Sequence, residues 1–223
     1  RYTSTTPIKL KTAKVGRYGS ADVGQMALPG TYTVTAYLGK DGKMEKLSEP
    51  KSFEIELLNN TTLPAEDKVA ALAFLKEVSE LRRSVRGTSN QLGEINNRLK
   101  YLEQAVEHYP NVDMSLLTKI NELKATSKNI AISLWGDNDI AKHEFETYPS
   151  IMDRVEIVVY SIWNSTSAPT TTGKNNIKIA QEEYTPILAK VKTLIADVES
   201  IEKQLTDAKV PYTPGRGDEW KEE

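Results

Sequence analysis

Apolar residues recur three and four apart through the last third of this chain, at Ile177, Ala180, Tyr184, Ile187, Val191, Leu194, Val198, Ile201 and Leu205. That spacing places them all on one stripe of a helix, and a stripe so long has to be buried against other helices. Three earlier segments share the period. One opens near Pro64 and carries Leu72, Leu75, Val78, Leu81, Val85, Leu92, Ile95, Leu99, Leu102 and Val106 before Pro110 closes it. Gly87 and Gly93 mark a possible bend in its middle, each costing about 1 kcal/mol against Ala. A second segment takes Asp113 as N-cap, runs through Leu116, Ile120, Leu123, Ile130 and Leu134, and stops at Gly136. A third takes Ser150 as N-cap and carries Ile151, Val155, Val158, Val159 and Ile162. The last contains Pro186, which predicts a kink or a late helix start. Four amphipathic helices with modest connections predict an antiparallel, up-down-up-down four-helix bundle over residues 63–210.

Before these helices the period is two. Tyr32, Val34, Ala36 and Leu38 alternate with Thr33, Thr35 and Tyr37, while Phe53, Ile55 and Leu57 alternate with Ser52, Glu54 and Glu56. Two half-buried strands follow, joined by a turn at Asp41-Gly42. Pro29-Gly30 feeds the first of them, and Ile8 with Leu10 suggests an earlier strand. The predicted class is therefore α+β: a small antiparallel β unit in residues 1–60, the helical part in 63–210, and a tail in 211–223. Three or four strands are too few for a complete sandwich.

Composition narrows the field of functions. The 223 residues carry 29 basic and 31 acidic side chains, so no excess of positive charge points to nucleic acid or an anionic membrane. No apolar run approaches the roughly 20 residues that cross a bilayer, and cysteine is absent, which removes disulfides and thiolate chemistry. The chain opens at Arg1 with no initiator Met or apolar export signal, and reads as a piece of a longer protein.

Candidate chemistry is sparse. His108 and His143 lack a Glu at the offset a di-iron bundle requires, and Asp137-Asn138-Asp139 lacks the glycine of a calcium loop. Neither a metal nor an organic cofactor is expected. Gly16-Arg17-Tyr18-Gly19 lacks the strand-to-helix setting of a phosphate cradle. Arg82, Arg83 and Arg86 are expected on a solvated face, paired with Glu77 or Glu80. Asn60-Thr61-Thr62 and Asn164-Ser165-Thr166 fit a glycosylation acceptor pattern.

Several short motifs stand apart from this generic pattern: Pro29-Gly30-Thr31-Tyr32-Thr33-Val34, Glu80-Leu81-Arg82-Arg83, Tyr148-Pro149-Ser150-Ile151-Met152-Asp153-Arg154, Ser165-Thr166-Ser167-Ala168-Pro169-Thr170 and Tyr212-Thr213-Pro214-Gly215-Arg216, with Trp220 beyond. Together they resemble the C-terminal region of large sortilin-like, BNR-repeat "glycosyl hydrolase" proteins of Bacteroidetes and related bacteria. The resemblance spans nearly the whole chain. It implies a β-propeller upstream, then a small Ig-like segment and a helical region, in a protein exported to the periplasm or cell surface. No Asp-box of the Ser-x-Asp-x-Gly-x-Thr-Trp type occurs here, so the resemblance implies a non-catalytic accessory region packing on the propeller or recruiting a partner. Asp153 and Arg154 would orient the third helix, and Tyr212, Arg216 and Trp220 would tie the tail to a neighbouring surface, against the competing reading of a loose terminus. A second functional class is carbohydrate binding, with Tyr2, Tyr18, Tyr32, Tyr37, Trp135 or Trp163 as stacking platforms. An enzyme is the third and least supported.

Overall fold

The structure, a computed structural model, describes residues 1–8, 24–58, 63–143 and 145–217. The expected strand start at Leu10, the Gly16–Gly19 loop with its Tyr18 platform, the Asn60 acceptor and Trp220 lie outside the described residues. The chain is α+β, with four short antiparallel strands in two small sheets and five helices.

Strands β1 (Gly30–Val34) and β4 (Lys51–Ile55) pair with Gly30 opposite Ile55 and Val34 opposite Lys51. Between them in sequence, β2 (Tyr37–Lys40) pairs with β3 (Lys43–Lys46), Tyr37 lying opposite Lys46. The turn is the predicted one. Asp41 and Gly42 take φ of 51° and 73°, the two positive values that a tight hairpin turn matched to strand twist requires. In the interval between the two ladders, the Leu47 amide donates to the Ala36 carbonyl at 2.8 Å and the Ala36 amide to the Ser48 hydroxyl at 3.0 Å. The two ladders thus form successive stretches of one long hairpin, interrupted by extra residues. Half-burial was expected for its apolar positions, yet Val34 is 57% and Met44 71% exposed, and Leu38 and Phe53 are also open to solvent. The strands pair chiefly among themselves and the helices among themselves, with Tyr2 hydrogen-bonded to Tyr32 of the hairpin.

Helix α1 (Lys68–His108) runs unbroken through Gly87 and Gly93. It begins four residues after Pro64, because the Pro64 and Ala65 backbone bridges to Ser167 and Thr166, and Asp67 caps the helix by accepting from the Ala70 amide. Helix α2 (Ser115–Trp135) starts after Met114, while Asp113 accepts from the amide and hydroxyl of Ser115 at 2.8 and 2.7 Å. Those two bonds hold the Asp113 carboxyl below its ordinary value. Gly136, at φ 83°, ends α2 in a conformation that a side chain resists. A one-turn helix, α3 (Asn138–Ala141), follows in what the sequence presented as a linker. Helix α4 (Ile151–Ile162) carries a full capping box between Ser150 and Asp153. Helix α5 (Thr171–Asp207) runs through Pro186 without a late start.

The nine rungs of the α5 stripe are all buried, Ala180, Val198 and Leu205 completely. They join the α1 stripe and the apolar faces of α2 and α4 in a single core. Cross-helix bonds fix the directions. Glu77 accepts from Gln181, Thr88 bonds Tyr184, and Glu202 accepts from Arg98, so residue numbers rise together and α1 and α5 run parallel. Lys124 pairs with Glu103, and the Trp135 indole donates to Ser89, so α2 runs against α1. Helix α4 also runs against it. Its start lies beside Gly136, Glu156 meets Arg82 and Arg86, and Trp163 beyond its end accepts from Arg1.

The expected up-down-up-down alternation is therefore not what these pairs describe, since α2 and α4 share a direction. Length explains it. Helices of 41 and 37 residues span about 61 and 55 Å, and one of 12 residues covers only about 18 Å. Placed end to end, α4 and the 21-residue α2 make about 50 Å, enough for one leg alongside the two long helices.

Because the chain contains no cysteine, paired spin labels test this order directly. Labels at Glu77→Cys and Gln181→Cys are expected to be nearer by about 25 Å than labels at Glu77→Cys and Ser200→Cys, read by pulsed electron resonance. The reverse order would show α5 antiparallel to α1.

Candidate functional site

The break in the middle leg collects the polar side chains that a continuous apolar seam leaves no room for. At the start of α4, the Asp153 carboxylate accepts from the Ser150 amide at 2.9 Å and the Ser150 hydroxyl at 2.7 Å, while the Asp153 amide donates to that hydroxyl. Arg154 turns toward α5, donating to Asn176 at 3.3 Å and facing Glu183 at 3.5 Å. Two residues on, Glu156 turns toward α1. It accepts from Arg82 at 2.8 and 3.2 Å and from Arg86 at 2.9 Å. The short helix is thus held by ionic contacts on both flanks. Arg83 does pair with Glu80 on its own helix, whereas Arg82 and Arg86 are half-buried and reach across to α4 rather than to Glu77 or Glu80. Glu77 is engaged with Gln181 instead.

Two clefts flank the break. The larger, about 550 Å³, lies among Gly136, Asp137, Tyr148, Ser150, Glu183 and Pro186. Its acids are already committed, Asp137 to the amides of Asp139 and Ile140 and Glu183 to Arg154. The smaller, about 340 Å³, lies among Thr6, Pro7, Arg86, Ser89, Asn90 and Trp135. Here Trp135, the last residue of α2, donates its indole N–H to the Ser89 hydroxyl at 2.9 Å and leaves the ring 43% exposed. Arg86, Ser89 and Asn90 follow at i, i+3 and i+4 and share one face of α1. Thr6, Pro7 and Ile8 form the other wall, on a segment anchored by Arg1 to Asn164 and the Trp163 carbonyl and by Thr5 to Ser79. Such a cleft can stack a flat ring and donate hydrogen bonds to it. It brings no acid pair to a reacting bond.

The remaining platforms are less available. Trp163 is buried, Tyr32 stacks on Phe53 at 6.1 Å and donates to the Leu28 carbonyl, and Lys76 sits over Tyr2 at 5.7 Å. Tyr37 is exposed on the hairpin. His108 bonds the Gln104 carbonyl, and His143 lies beside Phe145. Among the described residues no three His, Asp or Glu side chains converge as metal ligands.

The tail forms a separate cluster at the far end of α5. Val210 is buried, its amide donating to Leu205, and Arg216 donates to the Thr206 hydroxyl and the Val210 and Pro211 carbonyls while stacking under Tyr212 at 5.9 Å. Burial draws the Arg216 guanidinium below its ordinary value, with Glu202 and Tyr212 pulling the other way. Gly215 lies flat on Arg98, where an added Cβ would come within 3.1 Å of Nε. Arg98 forks onto Glu202, a bond that raises its affinity for its proton. Tyr212 and Arg216 are therefore brought together, whereas Asp153 and Arg154 turn to different partners, and the two pairs sit apart. Arg154 meets α5 at Glu183 and the tail meets it near Glu202, roughly 28 Å along the helix. The sequence reading missed Ser89 and Asn90. The only signal for them was their helical spacing from Arg86.

No helix among the described residues is long and apolar enough to cross a membrane. No family model, curated protein or solved structure matches the chain.

Arg98→Gln is expected to destabilise the chain by about 3 kcal/mol in urea titration, because it leaves the Glu202 carboxylate, 9% exposed, without its partner. Arg83→Gln, on an exposed pair, is expected to cost less than about 1 kcal/mol.

Proposed function

We propose that this chain is a non-catalytic accessory and interaction region of a larger exported protein of the sortilin-like, BNR-repeat class, working in the periplasm or at the cell surface. Its hairpin is the docking element, an Ig-like piece that packs on the propeller upstream of residue 1. The observation that supports this reading is the hairpin's uncovered apolar surface: Val34, Leu38, Met44 and Phe53 are all exposed, on a two-stranded ribbon of a kind that is marginal by itself. The helical stack, which has its own core, then serves as the rigid mount.

Hydrogen exchange on this chain and on the full-length protein tests the proposal. The amides of β1 to β4 are expected to exchange at least about tenfold more slowly when the upstream part is attached. Equal exchange in the two, or an upstream sequence without propeller repeats, overturns it.

A second reading, glycan binding, is favoured by one specific observation, the pinned and half-exposed indole of Trp135 above Ser89 and Asn90. It predicts saturable retardation of the chain in affinity gels containing a soluble polysaccharide, lost on Trp135→Ala. Retardation that survives this substitution removes Trp135 as the platform.

A further inference from the structure

Resting on the glycan-binding reading, we infer that the cleft beneath Trp135 takes an acidic sugar, a uronic acid residue stacked on the indole with its carboxylate on Arg86. The ring of Trp135 is tethered to α1, because its N–H is held by Ser89 at 2.9 Å, and it lines the cleft while 43% exposed. Stacking against a prepositioned face loses little side-chain entropy on binding. One helical turn before Ser89 stands Arg86, whose Nη2 is bonded to Glu156 at 2.9 Å while its Nε is enclosed with no acceptor. A guanidinium has five N–H donors in a fixed fork, more than the bond to Glu156 uses. The enclosed Nε is out of a ligand's reach, but a carboxylate in the cleft can accept from the exposed part of this guanidinium, whose side chain is 28% exposed and lines the cleft.

The other side chains suit the rest of a sugar ring. The Asn90 carboxamide is exposed and makes no internal hydrogen bond among the described residues, leaving a donor and an acceptor for ring hydroxyls. Pro7 and Ile8 offer an apolar wall across from it, on the segment that Thr5 fastens to Ser79. A volume of about 340 Å³ accommodates one or two sugar units. The chain's formal net charge of -2 supplies no general attraction for polyanions, so selectivity for an acidic glycan has to arise locally.

The probes are polygalacturonate and its fully methyl-esterified form, which keeps the ring and removes the charge. In affinity electrophoresis the chain is expected to bind polygalacturonate at least about tenfold more tightly than the ester, with the difference shrinking as salt rises. Trp135→Ala abolishes binding to both. Arg86→Gln brings polygalacturonate down to the level of the ester and leaves the ester unchanged, Asn90→Ala weakens both severalfold, and Arg83→Gln changes neither. Because Arg86 also links α1 to α4, its variant is read beside its thermal melt and beside Asn90→Ala, which touches no internal bond. Equal binding of the two probes with Arg86→Gln inert overturns the acidic preference and leaves glycan binding standing. An Arg83→Gln loss as large as that of Arg86→Gln reduces the effect to general charge and also overturns it. Retardation by neither probe, nor by neutral polysaccharides, overturns both readings.

Discussion

Two parallel rods with facing apolar stripes set the terms for everything else in this chain. Helices α1 and α5 run in the same direction for about 55 Å, and two cylinders in contact cannot bury a stripe the width of theirs. A third leg is required, of opposite direction, since the chain has to return from the end of α1 to the beginning of α5. The chain makes that leg from two pieces. Between Gly136 and Ser150 it leaves the stack and re-enters, so one seam is served by two helices whose combined length nearly matches the long ones.

The break explains where polar groups are tolerated inside an otherwise apolar assembly. A helix of 12 residues has few side chains with which to hold its place, and α4 adds charge to burial: Glu156 against α1, Arg154 against α5, and the Ser150–Asp153 capping box at its start. Buried or half-buried ion pairs contribute modestly to stability, but they penalise misplacement strongly, because a slipped register leaves a charge without a partner. Their use here is positional. The same interruption ends α2 at Trp135, outside the core and 43% exposed, where a continuous helix would have carried the next apolar rung.

How much of this was legible in the sequence depends on whether a feature is local. The stripe from Ile177 to Leu205, the hairpin turn at Asp41-Gly42, the cap at Ser150 and the stop at Gly136 are all visible because a few consecutive residues determine them. The direction of α4 was not visible. An amphipathic stripe states which face is buried and is silent on what buries it, so alternation was assumed where end-to-end stacking holds. Arg82 and Arg86 were assigned partners within their own helix, since a carboxylate 70 or more residues away leaves no trace in the local pattern. For the Trp135 cleft, the aromatic was recognisable but its neighbours were not, because Ser89 and Asn90 are unremarkable until α2 folds back over them.

The hairpin and the helical stack obey opposite accounting. Every rung of the α5 stripe is covered, and the core is contiguous from Leu75 to Val210, so the stack buries its own stripes while Val69, Ile157 and Tyr160 stay on its surface. The hairpin does not. Its backbone bonds are made, its turn is well chosen and Tyr32 stacks on Phe53, yet Val34, Leu38, Met44, Leu47 and Phe53 remain in water. Exposed apolar residues are ordinary on any protein, and here the register divides them between the two faces of the ribbon, Leu38 opposite Glu45 on one and Met44 opposite Gly39 on the other.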